Sequence, residues 1–170
     1  AITVAIVAIG WKEALRHRGN RWASGARGEE AVARRLKRLR RRGWVAVHDI
    51  DTGRGNIDHV AVGPGGVVAI ETKNHARLDR VTPRMYAQAR PNAARVATAT
   101  GRDAQAVLVL TRAPVHRKDR RNDDAVTVLT LDRLNRHLRR LPPVLTANEI
   151  ADAVARTAAL APGETRAALR

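Results

Sequence analysis

At 170 residues and 44% apolar composition, the chain is long enough for one hydrophobic core and short for two. It contains no cysteine, which excludes disulfides, thiolate metal sites and a cysteine nucleophile. Its 32 Lys and Arg against 16 Asp and Glu leave a net charge of +16, a surplus that favours polyanionic partners, nucleic acid or an anionic membrane.

Ala1–Ile9 is a continuous apolar run, followed by Trp11 and by Lys12, Arg16, Arg18 and Arg21. A bilayer span needs about 20 apolar residues, so this run cannot cross alone. It also lacks the charged start of a signal peptide. Two readings stay open: the end of a transmembrane helix with basic residues on its cytoplasmic side, or a helix or strand packed on the domain. The expected location is cytoplasmic, with a tether through a segment upstream of or including residues 1–10 as the open variant.

Ser24 to Gly43 reads as a helix capped near Ser24 and ended by Gly43. Val32, Leu36 and Leu39 form its apolar stripe, which Glu29 extends toward the N-terminus. A carboxylate in a first turn also suits the helix dipole, so Glu29 has a structural explanation beside a functional one. Glu30 and the basic run from Arg34 to Arg42 are assigned to the solvated face.

Trp44–Ile50 is a first strand, and Asp51–Gly55 a flexible connection in which Arg54 could meet a phosphate or simply serve a turn. Ile57–Val62 and Val67–Thr72 flank Gly63-Pro64-Gly65-Gly66, a pattern that predicts a hairpin with a four-residue loop. Pairing Val62 with Val67 sets His59 opposite Ile70, Asp58 opposite Glu71 and Asn56 opposite Lys73. Residues directly opposite share a face, with Cβ atoms roughly 4.5–5.5 Å apart. Lys73 joins the same face because strand side chains alternate. Two acids and a lysine thus converge above an apolar face of Val60, Val62, Val67 and Ala69. Like charges that close call for a cation or a proton between them, and carboxylate oxygens suit Mg²⁺ or Mn²⁺. An exposed strand end with Lys73 bridging both acids is the competing explanation.

Pro83–Thr100 is helical in character and closed by Gly101, with Pro91 expected to kink or divide it. Ala104–Thr111 is an apolar strand without alternation, as expected when helices cover both faces. The strand–helix–strand order from Val67 to Thr111 predicts a parallel crossover. Arg112–Asp124 is a polar loop in which Arg112, Arg117 and Lys118 are candidate phosphate contacts, a solvated loop fitting equally well. Val126–Leu131 is a last strand, Asp132–Leu141 a short basic helix, and Thr146 to Glu149 a capping box opening a helix through about Leu160. Neither glycine turn ends in Gly-Lys-Ser/Thr, so a P-loop is excluded. The six histidines have no metal-ligand spacing, and His59 alternates away from Asp58.

Asp58, twelve intervening residues and then Glu71-Thr72-Lys73 match the PD-(D/E)XK nuclease signature. The fuller stretch, Gly-Asn-Ile-Asp-His-Val through Gly-Pro-Gly-Gly-Val to Ile-Glu-Thr-Lys-Asn, resembles the nuclease-related domain, NERD, over about Gly25 to Leu138. The resemblance implies an α/β fold, a restriction-endonuclease-like mixed β-sheet flanked by helices, spanning residues 24–160 between an N-terminal segment (1–23) and a tail (161–170). It also implies a Mg²⁺- or Mn²⁺-dependent nuclease acting on nucleic acid, DNA ahead of RNA. Asp58, Glu71 and the Thr72 carbonyl would hold the metal. Lys73 would serve the attacking water, Glu29 would join from the first helix and Gln88 would support from the helix after the strand. The alternative is a non-catalytic nucleic-acid-binding or membrane-surface recruitment module on the same scaffold.

Overall fold

Strands rich in β-branched residues on both faces need cover on both sides, and the helices of this chain supply it. A computed structural model describes residues 25–53, 55–75, 81–115 and 125–161. Residues 25–37 form helix α1, continued by a tight 3-10 turn at Arg40–Arg42. Strands β1 (Val45–Asp51), β2 (Asn56–Gly63) and β3 (Gly66–Lys73) follow. Helix α2 (Pro83–Thr100) then leads to β4 (Ala104–Leu110) and β5 (Val126–Thr130). Helices α3 (Leu131–Arg140) and α4 (Ala147–Ala158) complete the order.

The five strands lie in sequence order in one sheet. β1–β2–β3 form an antiparallel meander, whereas β4 runs parallel to β3 and β5 parallel to β4. The parallel step requires a crossover, and α2 provides it. This five-stranded mixed sheet flanked by helices is the expected α/β architecture, consistent with the restriction-endonuclease-like fold.

Alternation divides the core in two. Val60, Val62, Val67, Ala69 and Leu108 pack with Met85, Ala89, Ala93 and Val96 of α2 and Ala153 of α4. On the other face Ala61, Val68, Ile70 and Val107 meet Val32, Leu36 and Leu39 of α1 and Leu134 and Leu138 of α3. Each fully buried Val, Leu or Ile contributes roughly 1.5–3 kcal/mol.

Several elements depart from the sequence expectation. The helix from Ser24 was expected to reach Gly43 as one piece, but its last turn tightens to 3-10 before Gly43 takes a left-handed φ of 77°. The predicted four-residue hairpin loop is a two-residue turn, because Gly63 pairs with Gly66 and only Pro64-Gly65 connect them. Gly66 takes φ 108°, open only to glycine at little cost. A Cβ on Gly63 would lie 2.3 Å from the Trp44 ring, so the strand end must be bare for the indole to cover it. Pro91 does not divide α2, which runs unbroken through it. The proline is exposed, and the stripe Met85, Ala89, Ala93, Val96 stays buried on either side of it. The Thr146/Glu149 capping box is formed in full.

Among the described residues no helix is long and apolar enough to cross a membrane. The expectations for residues 1–23, for the tail beyond residue 161, and for Arg54, Arg117 and Lys118 lie outside the described residues.

Candidate active site

The hairpin register matches the sequence expectation from Gly63↔Gly66 to His59↔Ile70. Beyond that point the β2–β3 ladder stops, so the expected Asp58–Glu71 and Asn56–Lys73 pairs are not ladder pairs. A side chain takes over instead. Asp58 Oδ2 accepts a hydrogen bond from the Thr72 backbone N–H at 2.7 Å, while Asn56 pairs with Asp51 of β1. β2 therefore parts from β3 at the level of the acids and opens a cleft between sheet and α2. This cleft holds about 380 Å³ and is lined by Gly55, Asn56, Asp58, Glu71, Gln88 and Asn92, among others.

Glu71 is only 6% exposed, so both carboxylate oxygens need partners. Lys73 Nζ donates to Glu71 Oε1 at 2.7 Å. Asn92 Nδ2 donates to Glu71 Oε2 and to the Asn56 carbonyl, each at 3.3 Å. Asn92 is in turn held by Arg95, whose Nη1 donates to Asn92 Oδ1 at 3.1 Å. Asn92 thereby ties α2 to both strands that carry the acids. The family resemblance points instead to Gln88, one turn earlier on the same helix, which also lines the cleft. The available signal was an asparagine, a weak helix former, in an alanine-rich helix interior.

The charges strain one another. Burial, and then the neighbouring Glu71 carboxylate, push the Asp58 carboxyl up to about 7, against the opposing pull of the Thr72 N–H. Burial also raises Glu29, helped by Asp49 and Glu71 and opposed by Lys73. α1 thus brings Glu29 within electrostatic reach of Glu71 and Lys73. Gly28 sits tightly over Asn74, where a Cβ would come within 2.8 Å of the Asn74 side chain. Asp49 is a further acid that the sequence reading did not single out. It bends β1 with φ 49° and accepts from Asn56 Nδ2 at 3.3 Å. No local pattern announces it.

Other candidates are elsewhere. Arg112 is exposed just beyond the end of β4, whose Leu110 pairs with Lys73. His59 is 3% exposed among apolar residues, its Nδ1 2.8 Å from Nδ1 of His48. It alternates away from Asp58. The Thr72 side chain alternates away from Glu71 likewise, which leaves only its backbone for the site.

Among the described residues no three His, Asp or Glu side chains form a group that could hold a metal ion. Two crowded carboxylates with one carboxyl raised to about 7 are nevertheless a fitting donor set for a hard divalent cation. Mg²⁺ commonly takes one or two carboxylates and keeps several waters, so a third enclosing acid is not required.

A mixed five-stranded sheet flanked by helices, opening at the ends of β2 and β3 beside Asp58, Glu71 and Lys73, is consistent with the restriction-endonuclease-like class of fold. The family follows from the sequence of that same region. Residues 24–104 match the family model NERD, nuclease-related domain, and membership of the PD-(D/E)XK superfamily is consistent with that match. No curated protein and no solved structure gives a significant match.

Proposed function

We propose that this protein is a metal-dependent nuclease that hydrolyses phosphodiester bonds of nucleic acid, DNA ahead of RNA. The observation that carries this reading is the junction of Asp58, Glu71 and Lys73 through the 2.7 Å Asp58–Thr72 and Glu71–Lys73 contacts at the mouth of an open cleft. Asp58, Glu71 and the Thr72 carbonyl would hold Mg²⁺ or Mn²⁺, while Glu29 stands outside this ligand set and acts on it through its charge. Such an ion, when bound, lowers the pKa of water and offsets the negative charge that develops on the phosphate.

The chain's own residues do the rest. The Lys73 ammonium, steadied by Glu71, would orient the attacking water and stabilise charge growing on the phosphoryl oxygens. Asn92 positions Glu71 and fixes the spacing between β2 and β3. Gln88 faces the space where substrate would lie. Arg112 stands at the same end of the sheet and is suited to a flanking phosphate.

The test is incubation of wild type and Lys73→Ala with labelled single- and double-stranded DNA and RNA in Mg²⁺, Mn²⁺ or EDTA. Cleavage by wild type in either metal, absent in EDTA and in Lys73→Ala, is expected. The second reading, a non-catalytic binding module, draws on the close engagement of Lys73 by Glu71. Salt-sensitive binding without turnover in any metal would favour it.

A further inference from the structure

Among the described residues β1 is an edge strand, partnered by β2 on one side only. Along its free side runs a groove of about 730 Å³ that shares no lining residue with the acidic cleft. Ala33 and Leu36 of α1 form one wall, Val154 and Ala158 of α4 the other, and Val45 and Val47 of β1 lie between them. Val45 is 41% exposed, one of two large apolar side chains left open among the described residues. The rim on the α1 side is basic, with Lys37 and Arg40 exposed and Arg34 engaged by Glu30 at 2.6 Å.

These features define a slot along the β1 edge, walled by α1 on one side and α4 on the other. An edge strand presents unpaired N–H and C=O groups, so the occupant must satisfy hydrogen bonds as well as fill apolar space. An acyl chain would leave those groups unpaired, at a cost. A second copy would bring another basic rim to this one, on a chain of net charge +16. An extended peptide, apolar in its middle and acidic where it passes α1, meets all three demands. We propose that the β1 edge is a docking site for such a segment of a partner protein, which adds to the sheet as a sixth strand.

The probes are capped ten-residue peptides with alternating Val, Ile and Thr interiors and Asp or Glu ends. Matched sets carry Lys ends or a central proline. With the 170-residue chain, acidic-ended peptides should bind at least about tenfold tighter than Lys-ended ones. The proline set should not bind, and hydrogen exchange should slow at residues 45–48. The exposed double variant K37E/R40E, its fold checked by circular dichroism, should reverse the preference between acidic and Lys ends. No binder in the acidic set, equal binding of both sets, or an unchanged preference in K37E/R40E would overturn the proposal. So would competition for the groove by phosphatidylserine vesicles or by self-association. Binding that appears only after deletion of residues 1–9 would overturn it too, by assigning the groove to the chain's own apolar run.

Discussion

Replacing Asp58 with asparagine should stabilise the metal-free protein at alkaline pH while removing its capacity for Mg²⁺. In the folded state the Asp58 carboxyl is raised from 3.8 to about 7. Each pH unit of that interval is worth about 1.4 kcal/mol, so the ionised carboxylate costs the fold up to about 4 kcal/mol above pH 7. The sign follows from which state ionises first. Below about pH 4 the acid is protonated in both states, and the stability it lends is whole. As pH rises from 4 to 7 the unfolded chain ionises ahead of the folded one, and that stability drains away. The asparagine of the Asp58→Asn variant would remain neutral throughout, could keep the Thr72 N–H bond through its amide oxygen, and could donate toward Glu71. A net gain of about 1–3 kcal/mol is expected once relaxation is allowed for, or about 2–4 °C in Tm per kcal/mol for a chain of this size. Denaturant unfolding in EDTA at pH 4, 6 and 8, followed by tryptophan fluorescence, to which Trp44, only 5% exposed in the fold, contributes with Trp11 and Trp22, measures it. The gap should be near zero at pH 4 and widest at pH 8. Added Mg²⁺ should stabilise wild type alone, by mass action on the folded state. A variant no more stable than wild type at pH 8, or a gap unchanged across pH, would refute the reasoning.

Three further outcomes are expected. Mg²⁺ affinity, measured by calorimetry, should rise with pH through about 7 as the Asp58 carboxyl loses its proton; a flat profile would exclude Asp58 as a ligand. Asn92→Ala should cost about 1–3 kcal/mol, since it leaves Glu71 and the Asn56 carbonyl each short of a donor. It should also lower cleavage, and the rate at saturating substrate separates this positioning role from weaker binding. Gly63→Ala should cost about 1–3 kcal/mol by driving a methyl into the Trp44 ring, visible as a lower denaturation midpoint with altered tryptophan fluorescence.

The strands were legible because their β-branched runs are bounded by glycine turns, and a period of two leaves one register that keeps Val60, Val62, Val67 and Ala69 on one buried face. That register holds from Gly63↔Gly66 to His59↔Ile70; beyond it the predicted Asp58–Glu71 pair gives way to the bond from the Thr72 N–H to Asp58, which a period of two does not foretell. Asn92 and Asp49 were not legible, because their roles come from elements distant in sequence: Asn92 meets Glu71 across 21 positions, and Asp49 acts through a local bend in β1. Propensity also left two outcomes open at Pro91, a kink or a division, and the buried stripe on both sides of the ring keeps α2 undivided there. The two-residue turn was concealed because four consecutive turn-formers, Gly63 to Gly66, do not reveal which of them close the ladder. That choice is made by Trp44, from outside the hairpin.

The parallel partner of β3 begins at Ala104, where the family match ends. Trimming the protein to residues 24–104 would therefore sever the sheet through its middle and strip the strand bearing Glu71 and Lys73 of its neighbour. It would also release the hairpin tip, whose Pro64 carbonyl is clasped by the N–H groups of Val144 and Leu145. The stretch by which the family is recognised is smaller than the unit that can stand in water, and the acid-bearing strand depends on the second.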